Sequence, residues 1–90
     1  MFQKALLNEI VAFVAVADCG SFTGAAELLS STKSGTGKAV KKLEDGLGLK
    51  LFHRTTRRLT LTEEGRIFLE ASKHAMDTIN EAKLLLESRK

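Results

Sequence analysis

The apolar residues in the first half of the chain recur at helical intervals and divide it into three predicted helices. The first helix begins near Leu6 and ends at Gly20, because apolar side chains recur there every three or four residues until glycine interrupts the pattern. Ser21 stands where a hydroxyl would cap a second, short helix. Thr32 stands in the same way before a third helix that extends to about Leu47. The pattern therefore predicts three helices, with a short polar turn between the second and the third.

The third predicted helix presents different side chains on its two faces. An apolar face should pack on the core, and it consists of Thr36, Val40, Leu43 and Leu47. The opposite face should be exposed, and it consists of Lys33, Ser34, Gly37, Lys38 and Lys41. Gly35 and Gly37 each cost roughly 1 kcal/mol relative to alanine in a helix, and they weaken the prediction for its first turn. On the second helix, the adjacent Ala25 and Ala26 allow another helix to approach closely.

The hydrophobic rhythm changes after the third helix. Residues 50–54 and 58–61 predict two short strands, the second with a regular apolar and polar alternation. Thr62 is placed to cap a fourth helix, and Glu63 and Glu64 suit the positive end of its dipole. The apolar stripe of this helix consists of Phe68, Ala71, Ala75, Ile79, Ala82 and Leu86. A helix of about 25 residues is about 37 Å long. Its near end is expected to pack on its own domain through Ile67 and Phe68, whereas its far half would outreach a 60-residue globule and need another partner.

Length and composition indicate a single small domain. The chain has 90 residues, of which 43% are apolar and 28% charged, the balance of an ordinary globular protein. No apolar run approaches the roughly 20 residues needed to cross a bilayer, so no membrane partner is expected. Cys19 is the single cysteine, which is typical of a reducing compartment. We expect a cytoplasmic protein with one domain over residues 1–62 and a projecting helix over residues 63–90.

Positive charge is concentrated in the middle of the chain. Residues 33–58 contain eight basic side chains, namely Lys33, Lys38, Lys41, Lys42, Lys50, Arg54, Arg57 and Arg58. With two acidic residues, this stretch carries +6; because the whole chain carries +3, the remainder carries −3. Such a block is the charge pattern of a phosphate-binding surface, although a solvated face is an alternative explanation.

Two kinds of chemical site are not supported by the sequence. Gly37 and Lys38 resemble the end of a nucleotide-binding loop, but that motif requires a glycine where the chain has Thr32 and a hydroxyl residue where it has Ala39. The potential metal ligands Cys19, His53 and His74 fall on three different predicted elements and lack the spacing of a zinc site. We expect no catalytic site, no metal and no cofactor.

The order of elements favours a winged helix-turn-helix. In that motif the second helix of the pair enters the major groove of DNA with its N-terminal residues towards the base edges. Lys33, Ser34 and Lys38 are at this end of the third helix. The hairpin would bring Arg54 and neighbouring basic residues to the DNA, where arginine inserts favourably into a narrow minor groove.

Three segments together resemble the N-terminal DNA-binding domain of LysR-type transcriptional regulators. They are GSFTGAAELL at residues 20–29, KKLEDGLGLKLFHRTTRR at residues 41–58 and LTLTEEG at residues 59–65. They occur in the order and spacing of that family, and the resemblance covers nearly the whole chain. It implies a bacterial activator or repressor whose winged domain is joined by a long linker helix to an effector-binding domain, and we expect that second domain to be absent from this chain.

The resemblance also implies roles for individual residues. The groove-facing positions of the family correspond to Thr32, Lys33, Ser34, Gly37 and Lys38. The backbone-contacting positions correspond to Ser21, Thr23 and Arg54, and the wing arginine of the minor groove corresponds to Arg57. We assign Lys41, Lys42 and Arg58 to the phosphate backbone or the minor groove as well. The far part of the fourth helix, with Ala75, Ile79, Ala82 and Leu86, is expected to form a homodimer that binds an inverted-repeat operator.

The chain departs from the family pattern at the start of the third helix. The family commonly has glutamine where this chain has Lys33, and serine where it has Gly37. Lysine donates to guanine O6 or N7 but does not form the bidentate pair of glutamine with adenine, so we expect a different base preference. Gly37 either permits closer approach of the DNA or is simply tolerated. The rival interpretation of the whole chain is a protein-interaction module whose basic face only increases solubility.

Overall fold

A computed structural model of the protein describes residues 4–55 and 58–90. The elements in these residues are α1 (Lys4–Cys19), α2 (Phe22–Leu28), α3 (Lys33–Leu47), β1 (Phe52–Arg54), β2 (Leu59–Leu61) and α4 (Glu63–Glu87). The two strands pair antiparallel, with Phe52 opposite Leu61 and Arg54 opposite Leu59. The fold is a mainly helical winged helix-turn-helix followed by a long helix, which confirms the predicted fold class.

The hydrophobic core lies between α1 and the elements on either side of it. Its fully buried large side chains are Phe13, Val16, Val40, Leu43 and Leu51. The whole run of residues 12–16 on α1 is buried, so this helix is covered on more than one face. The ring of Phe13 lies 5.4 Å from that of Phe52 and 5.7 Å from that of Phe68. One aromatic cluster therefore joins the hairpin and α4 to the three-helix core.

Three helices begin at the hydroxyl residues that the sequence predicted. The cap oxygens of Ser21, Thr32 and Thr62 accept hydrogen bonds from the backbone N–H groups of Gly24, Gly35 and Gly65, respectively, at 2.9–3.0 Å. Each cap satisfies one of the backbone donors that a helix start leaves without a partner. The first turn of α3 is therefore helical despite its glycines.

The turn between α2 and α3 is tight. Ser30 adopts a left-handed conformation with φ of 53°, which few residues other than glycine adopt. The backbone N–H of Ser31 donates to the carbonyl of Ala26 at 2.8 Å. Ala25 and Ala26 are both buried, as expected for small residues that allow close helix approach.

The N-terminal part of α4 is attached to the domain at several points. The N–H of Thr62 donates to the Leu51 carbonyl at 2.9 Å, and its hydroxyl donates to the Lys50 carbonyl at 2.8 Å. Further along the helix, Ser72 is buried and Lys73 forms an ion pair of 2.6 Å with Asp18 at the end of α1. All residues from Lys73 to the end of the chain are exposed.

Two residues predicted to pack on the core do not do so. Leu47 is 42% exposed, because the last turn of α3 extends beyond the core. Ile67 is 61% exposed, and the adjacent Phe68 and Leu69 pack against the core instead. Ala71 of the predicted stripe is also exposed, whereas its neighbour Ser72 is buried. The stripe of α4 therefore contacts its own domain mainly through Phe68.

No single helix in the described ranges is both long and apolar enough to cross a membrane. Taken together, α1 and α2 meet the requirements of length and composition, but the chain bends by 119° between them.

Candidate nucleic-acid interface

One side of α3 faces α2 and the wing across an open depression of about 480 Å³. The residues that line it are Phe22, Lys33, Ser34, Gly37 and Arg54. A Cβ atom added to Gly37 would meet no atom within 4 Å, and its φ is not in the left-handed region. The fold itself does not require glycine at this position, so any such requirement comes from a bound partner.

The opposite side of α3 faces the start of α1. Lys38 and Lys42 line a second depression there, together with Asn8 and Glu9 of α1. The structure therefore separates Lys38 from three of the other predicted base-contacting residues. It groups Lys33, Ser34 and Gly37 on the wing side of the helix, whereas Lys38 lies with Lys42 on the side of α1.

Hydroxyl and cationic side chains from α2, α3 and the wing converge on a third depression, of about 360 Å³. The polar and charged residues that line it include Ser21, Thr23, Lys33, Arg54 and Arg58. Four of these belong to the predicted backbone-contacting set, and Lys33 connects them to the start of α3. Hydroxyl, lysine and arginine donors are the groups that proteins use to bind DNA phosphates.

Arg54 contacts two other elements from its position at the end of β1. Its guanidinium carbon lies 4.9 Å from the centre of the Phe22 ring on α2. One guanidinium nitrogen lies 3.5 Å from a carboxylate oxygen of Glu44 on α3. About half of the Arg54 side chain remains exposed, so its free donors face the depression that it lines with Ser21 and Thr23.

The wing turn is closed by reciprocal hydrogen bonds at its base. The N–H of Thr55 donates to the Arg58 carbonyl, and the N–H of Arg58 donates to Thr55 Oγ1, each at 2.9 Å. Arg57, the predicted minor-groove residue, lies outside the described residues. Its role stays a prediction.

Lys41 and Lys42 lie on the exposed surface of α3, as predicted. The Nζ atom of Lys41 is 3.4 Å from a carboxylate oxygen of Asp45, and both side chains are more than half exposed. Because solvent-exposed pairs of this kind are worth at most about 1 kcal/mol, Lys41 remains able to exchange Asp45 for a phosphate.

The described residues show no cluster suited to metal binding. Within residues 4–55 and 58–90, no three histidine, cysteine or carboxylate side chains come together as ligands. Cys19, His53 and His74 are all exposed, and they lie on α1, β1 and α4, respectively.

One residue of the interface was missed by the sequence analysis. Glu44 is only 2% exposed, and its carboxylate lies between α3 and the start of the wing. The signal was present in the sequence, because Glu44 follows Val40 by four residues and Leu43 by one on the core side of α3. A charge at such a position predicts a buried partner, but it does not say which one.

The residues predicted for the dimer interface lie on the far part of α4 and are exposed in the single chain. Ile79 is 70% exposed and Leu86 is 61% exposed. Ala75 and Ala82 are exposed as well. This surface is available to a partner.

Comparison with known proteins decides the family. The model of the bacterial regulatory helix-turn-helix proteins of the lysR family matches residues 7–66, which include most of α1, all of α2 and α3, the hairpin and the start of α4. The chain belongs to the LysR family. In the nomenclature of the LysR family, α2 and α3 form the helix-turn-helix of this chain and the β1–β2 hairpin is its wing.

Individual relatives agree with the family assignment. The chain is 42% identical over 76 residues to the HTH-type transcriptional regulator PtxR of Pseudomonas aeruginosa, covering 84% of this chain and 24% of that protein. It is 48% identical over 63 residues to the HTH-type transcriptional regulator CrgA of Neisseria meningitidis serogroup C, covering 70% of this chain and 21% of that protein. The chain thus spans about a quarter or less of the length of these LysR-family relatives.

A solved structure agrees with the fold over nearly the whole chain. The BenM DNA-binding domain, crystallised in complex with its catB site 1 DNA, superposes with a TM-score of 0.84 at 27% sequence identity. The match covers 91% of this chain and 91% of that one. It extends beyond the family model, and so includes most of α4.

Proposed function

We propose that this LysR-family domain binds double-stranded DNA sequence-specifically, as part of a bacterial transcriptional regulator. Helix α3 enters the major groove, and the wing over residues 51–61 lies at the adjacent minor groove. The domain carries out no catalysis and requires no cofactor or metal. The proposal places it in the bacterial cytoplasm, where a transcriptional regulator meets its operator.

The observation that carries this proposal is the convergence of Ser21, Thr23, Lys33, Arg54 and Arg58 on one depression. These residues come from three elements that are separate in the sequence, yet their donors face the same open space beside the start of α3. A surface whose only purpose was solubility would have no reason to gather hydroxyl and cationic donors at one point. The DNA complex of the BenM domain supports the same function.

The positions of residues on α3 suggest which of them contact bases and which contact phosphates. Thr32, Lys33, Ser34 and Gly37 lie at the end of α3 that enters the groove, so we assign base contacts to them. Lys38 keeps the base-contacting role that the resemblance implies, but from the side of α3 that faces α1. Lys41, Lys42, Arg54 and Arg58 are assigned to the phosphates, and Arg57 to the minor groove.

A homodimer would present two such domains to the DNA. The exposed part of α4, with Ala75, Ile79, Ala82 and Leu86, is the proposed contact between two copies. A two-fold axis through this contact would relate the two α3 helices, so they would bind half-sites of an inverted repeat.

The test begins with selection of bound duplexes from a random DNA pool. The affinity for the selected duplex is then measured by fluorescence anisotropy at several salt concentrations, because each neutralised phosphate contributes about −0.9 to the slope of log K against log salt. Arg58→Ala should reduce that slope by about one contact. Lys83→Ala is the matched control, because Lys83 pairs with Glu87 at the far end of α4 and should leave the slope unchanged.

The rival function, docking of another protein, rests on a different surface. Leu47, Leu49 and Ile67 are exposed around a small apolar depression between the end of α3 and the start of α4. If this were the main function, the random pool would yield no enriched sequence and any residual DNA binding would not discriminate between duplexes. That outcome would refute the DNA-binding proposal.

A further inference from the structure

Glu44 is a buried carboxylate that is fully engaged at the joint between α3 and the wing. Its Oε2 atom accepts hydrogen bonds from the N–H groups of Leu51 at 2.8 Å and Phe52 at 3.3 Å. Its Oε1 atom faces two cations, Arg54 at 3.5 Å and Lys50 at 3.9 Å. The two oxygens therefore have different roles, one holding the backbone at the start of β1 and the other holding side chains.

Stability alone is a weak reason for a charge at this place. Removing a carboxylate from water is costly, and replacing a buried ion pair by apolar residues is often neutral or stabilising. The carboxylate also lies on the helix that is proposed to approach phosphates, where a negative charge opposes DNA binding. Its presence calls for a compensating benefit.

The contacts of Arg54 suggest that benefit. Its guanidinium is held from one side by Glu44 and rests on the ring of Phe22, yet half of the side chain remains exposed. An arginine has five donors in a rigid fork, so one that binds Glu44 still has donors free for a phosphate oxygen. The geometry fixes those donors at the depression that Arg54 lines with Ser21 and Thr23.

We propose that Glu44 is a positioning residue for DNA binding, which holds the Arg54 guanidinium against Phe22 so that its free donors meet a phosphate without further ordering. The inference rests on the proposed DNA-binding function. Preorganisation raises affinity because the side chain does not lose its freedom on binding. Glu44 itself does not touch the DNA in this proposal.

The deciding variant is Glu44→Gln. A glutamine carbonyl oxygen can replace Oε2 as the acceptor of the two backbone N–H groups, so the start of β1 is kept while the ion pair with Arg54 is lost. Net charge alone predicts tighter DNA binding for this variant, because one negative charge disappears. The positioning role predicts the opposite, a loss of about tenfold in affinity for the selected duplex, the scale of one good DNA contact.

Asp45→Asn is the matched control, because it removes the same charge one residue further along the same helix. Asp45 is exposed and pairs with Lys41, away from the wing. This variant should bind as tightly as the wild type or slightly more tightly. Equal behaviour of the two variants, with Glu44→Gln at or above wild-type affinity, would overturn the inference.

A double-mutant comparison separates positioning from general stability. In an Arg54→Ala background, Glu44→Gln should cause no further loss of affinity, because the group that Glu44 holds is gone. A further tenfold loss there would show that Glu44 acts through the fold alone and would overturn the inference. Circular dichroism melting of each variant shows whether it is folded.

A second variant decides the question if Glu44→Gln does not fold. Arg54→Lys keeps the positive charge but removes the fork that contacts Glu44 and Phe22 together. Positioning predicts a loss of about tenfold, the scale of one good DNA contact; binding at wild-type affinity would contradict it. The proposed function fails separately, because it fails only when the wild-type chain itself selects no duplex.

Discussion

Three glycines occupy the same position relative to a helix start, yet their surroundings differ. Gly24, Gly35 and Gly65 each donate to the hydroxyl three residues before them. A Cβ added at Gly24 or Gly35 would come closest to a cap hydroxyl, at 2.9 and 3.0 Å, respectively. At Gly65 it would lie 2.1 Å from the carbonyl oxygen of Leu51, which is backbone and does not rotate away.

Gly65→Ala should therefore destabilise the domain strongly. The added methyl group forces α4 away from the loop before β1, and overpacking of this kind costs about 1–3 kcal/mol or more. Urea unfolding followed by circular dichroism would measure the loss. Gly46→Ala is the control, because an added Cβ there meets nothing within 4 Å and alanine favours the helix. Equal stability of Gly65→Ala and the wild type would contradict the proposed close approach.

Thr36, by contrast, is a residue whose replacement should stabilise the fold. It is 2% exposed, and its hydroxyl has no hydrogen-bond partner among the described residues. Valine has nearly the same shape without the hydroxyl, so Thr36→Val should raise the free energy of unfolding by about 1 kcal/mol.

Thr78→Val provides the comparison for Thr36→Val in the same unfolding experiment. Thr78 is exposed, and its hydroxyl donates to the His74 carbonyl at 2.9 Å. Loss of this exposed hydroxyl in Thr78→Val should leave the free energy of unfolding nearly unchanged. A lower stability for Thr36→Val than for the wild type would show that the buried hydroxyl is satisfied.

At the scale of elements, the separation of Lys33 from Lys42 on α3 leads to a prediction about the DNA sequence that the domain prefers. Lys33 lies in the first turn on the wing side, whereas Lys42 lies two turns later on the side of α1. Lys33→Gln should change the preferred duplex sequence, because glutamine pairs with adenine where lysine donates to guanine. Lys42→Ala should weaken binding to all duplexes alike or have little effect. The same selected motif for Lys33→Gln and the wild type would contradict the base-contacting role of Lys33.

The wing carries a second prediction at this scale. Arg57 follows Thr55 by two residues in the sequence and directly precedes Arg58, whose N–H donates to Thr55 Oγ1. Arg57→Ala should weaken specific binding by about 1–3 kcal/mol, the scale of one DNA contact. Arg66→Ala removes a cation from the exposed side of α4 and should have no such effect. Unchanged affinity of a folded Arg57→Ala protein would remove this residue from the interface.

Helix starts were predictable from the sequence because their signals are local. Ser21, Thr32 and Thr62 were identified as caps, and all three accept the expected backbone hydrogen bond. The contacts of Leu47 and Ile67 were not predictable in the same way. Helical spacing places Leu47 on an apolar stripe and Ile67 beside one, but their exposure depends on where the core ends in three dimensions.

The candidate site likewise has features that the sequence predicts and features that depend on three-dimensional packing. Charge and order along the chain were enough to single out Arg54 and Arg58 as candidates. The convergence of these residues with Lys33 on one depression depends on how α2, α3 and the wing pack. The role of Glu44 depends on a contact seven residues along the chain, with the N–H of Leu51, and no local pattern predicts that partner.

At the scale of the whole molecule, the exposed half of α4 leads to a prediction about assembly. Ile79→Asp should weaken the proposed dimer by several kcal/mol, because a charge in the contact would be buried without a partner. Asn80→Asp is the matched control, since it places the same charge one residue outside the stripe. Sedimentation analysis at tens of micromolar should show a wild-type dimer, which Asn80→Asp keeps and Ile79→Asp loses. A monomeric wild type would contradict the proposed contact.

Because an ion pair with Asp18 holds α4 at Lys73, a small tilt of the helix at this point would be amplified along the rest of its length. From Lys73 to Glu87 the helix extends about 21 Å at 1.5 Å per residue, so a tilt of about 10° at the held end moves its tip by roughly 4 Å. That displacement is about one base-pair step along the axis of the DNA helix, ~3.4 Å. In a dimer joined through the far ends of two such helices, a change at Asp18 would shift the distance between the two α3 helices, and so the half-site spacing that the dimer prefers, while leaving the contacts to each half-site intact.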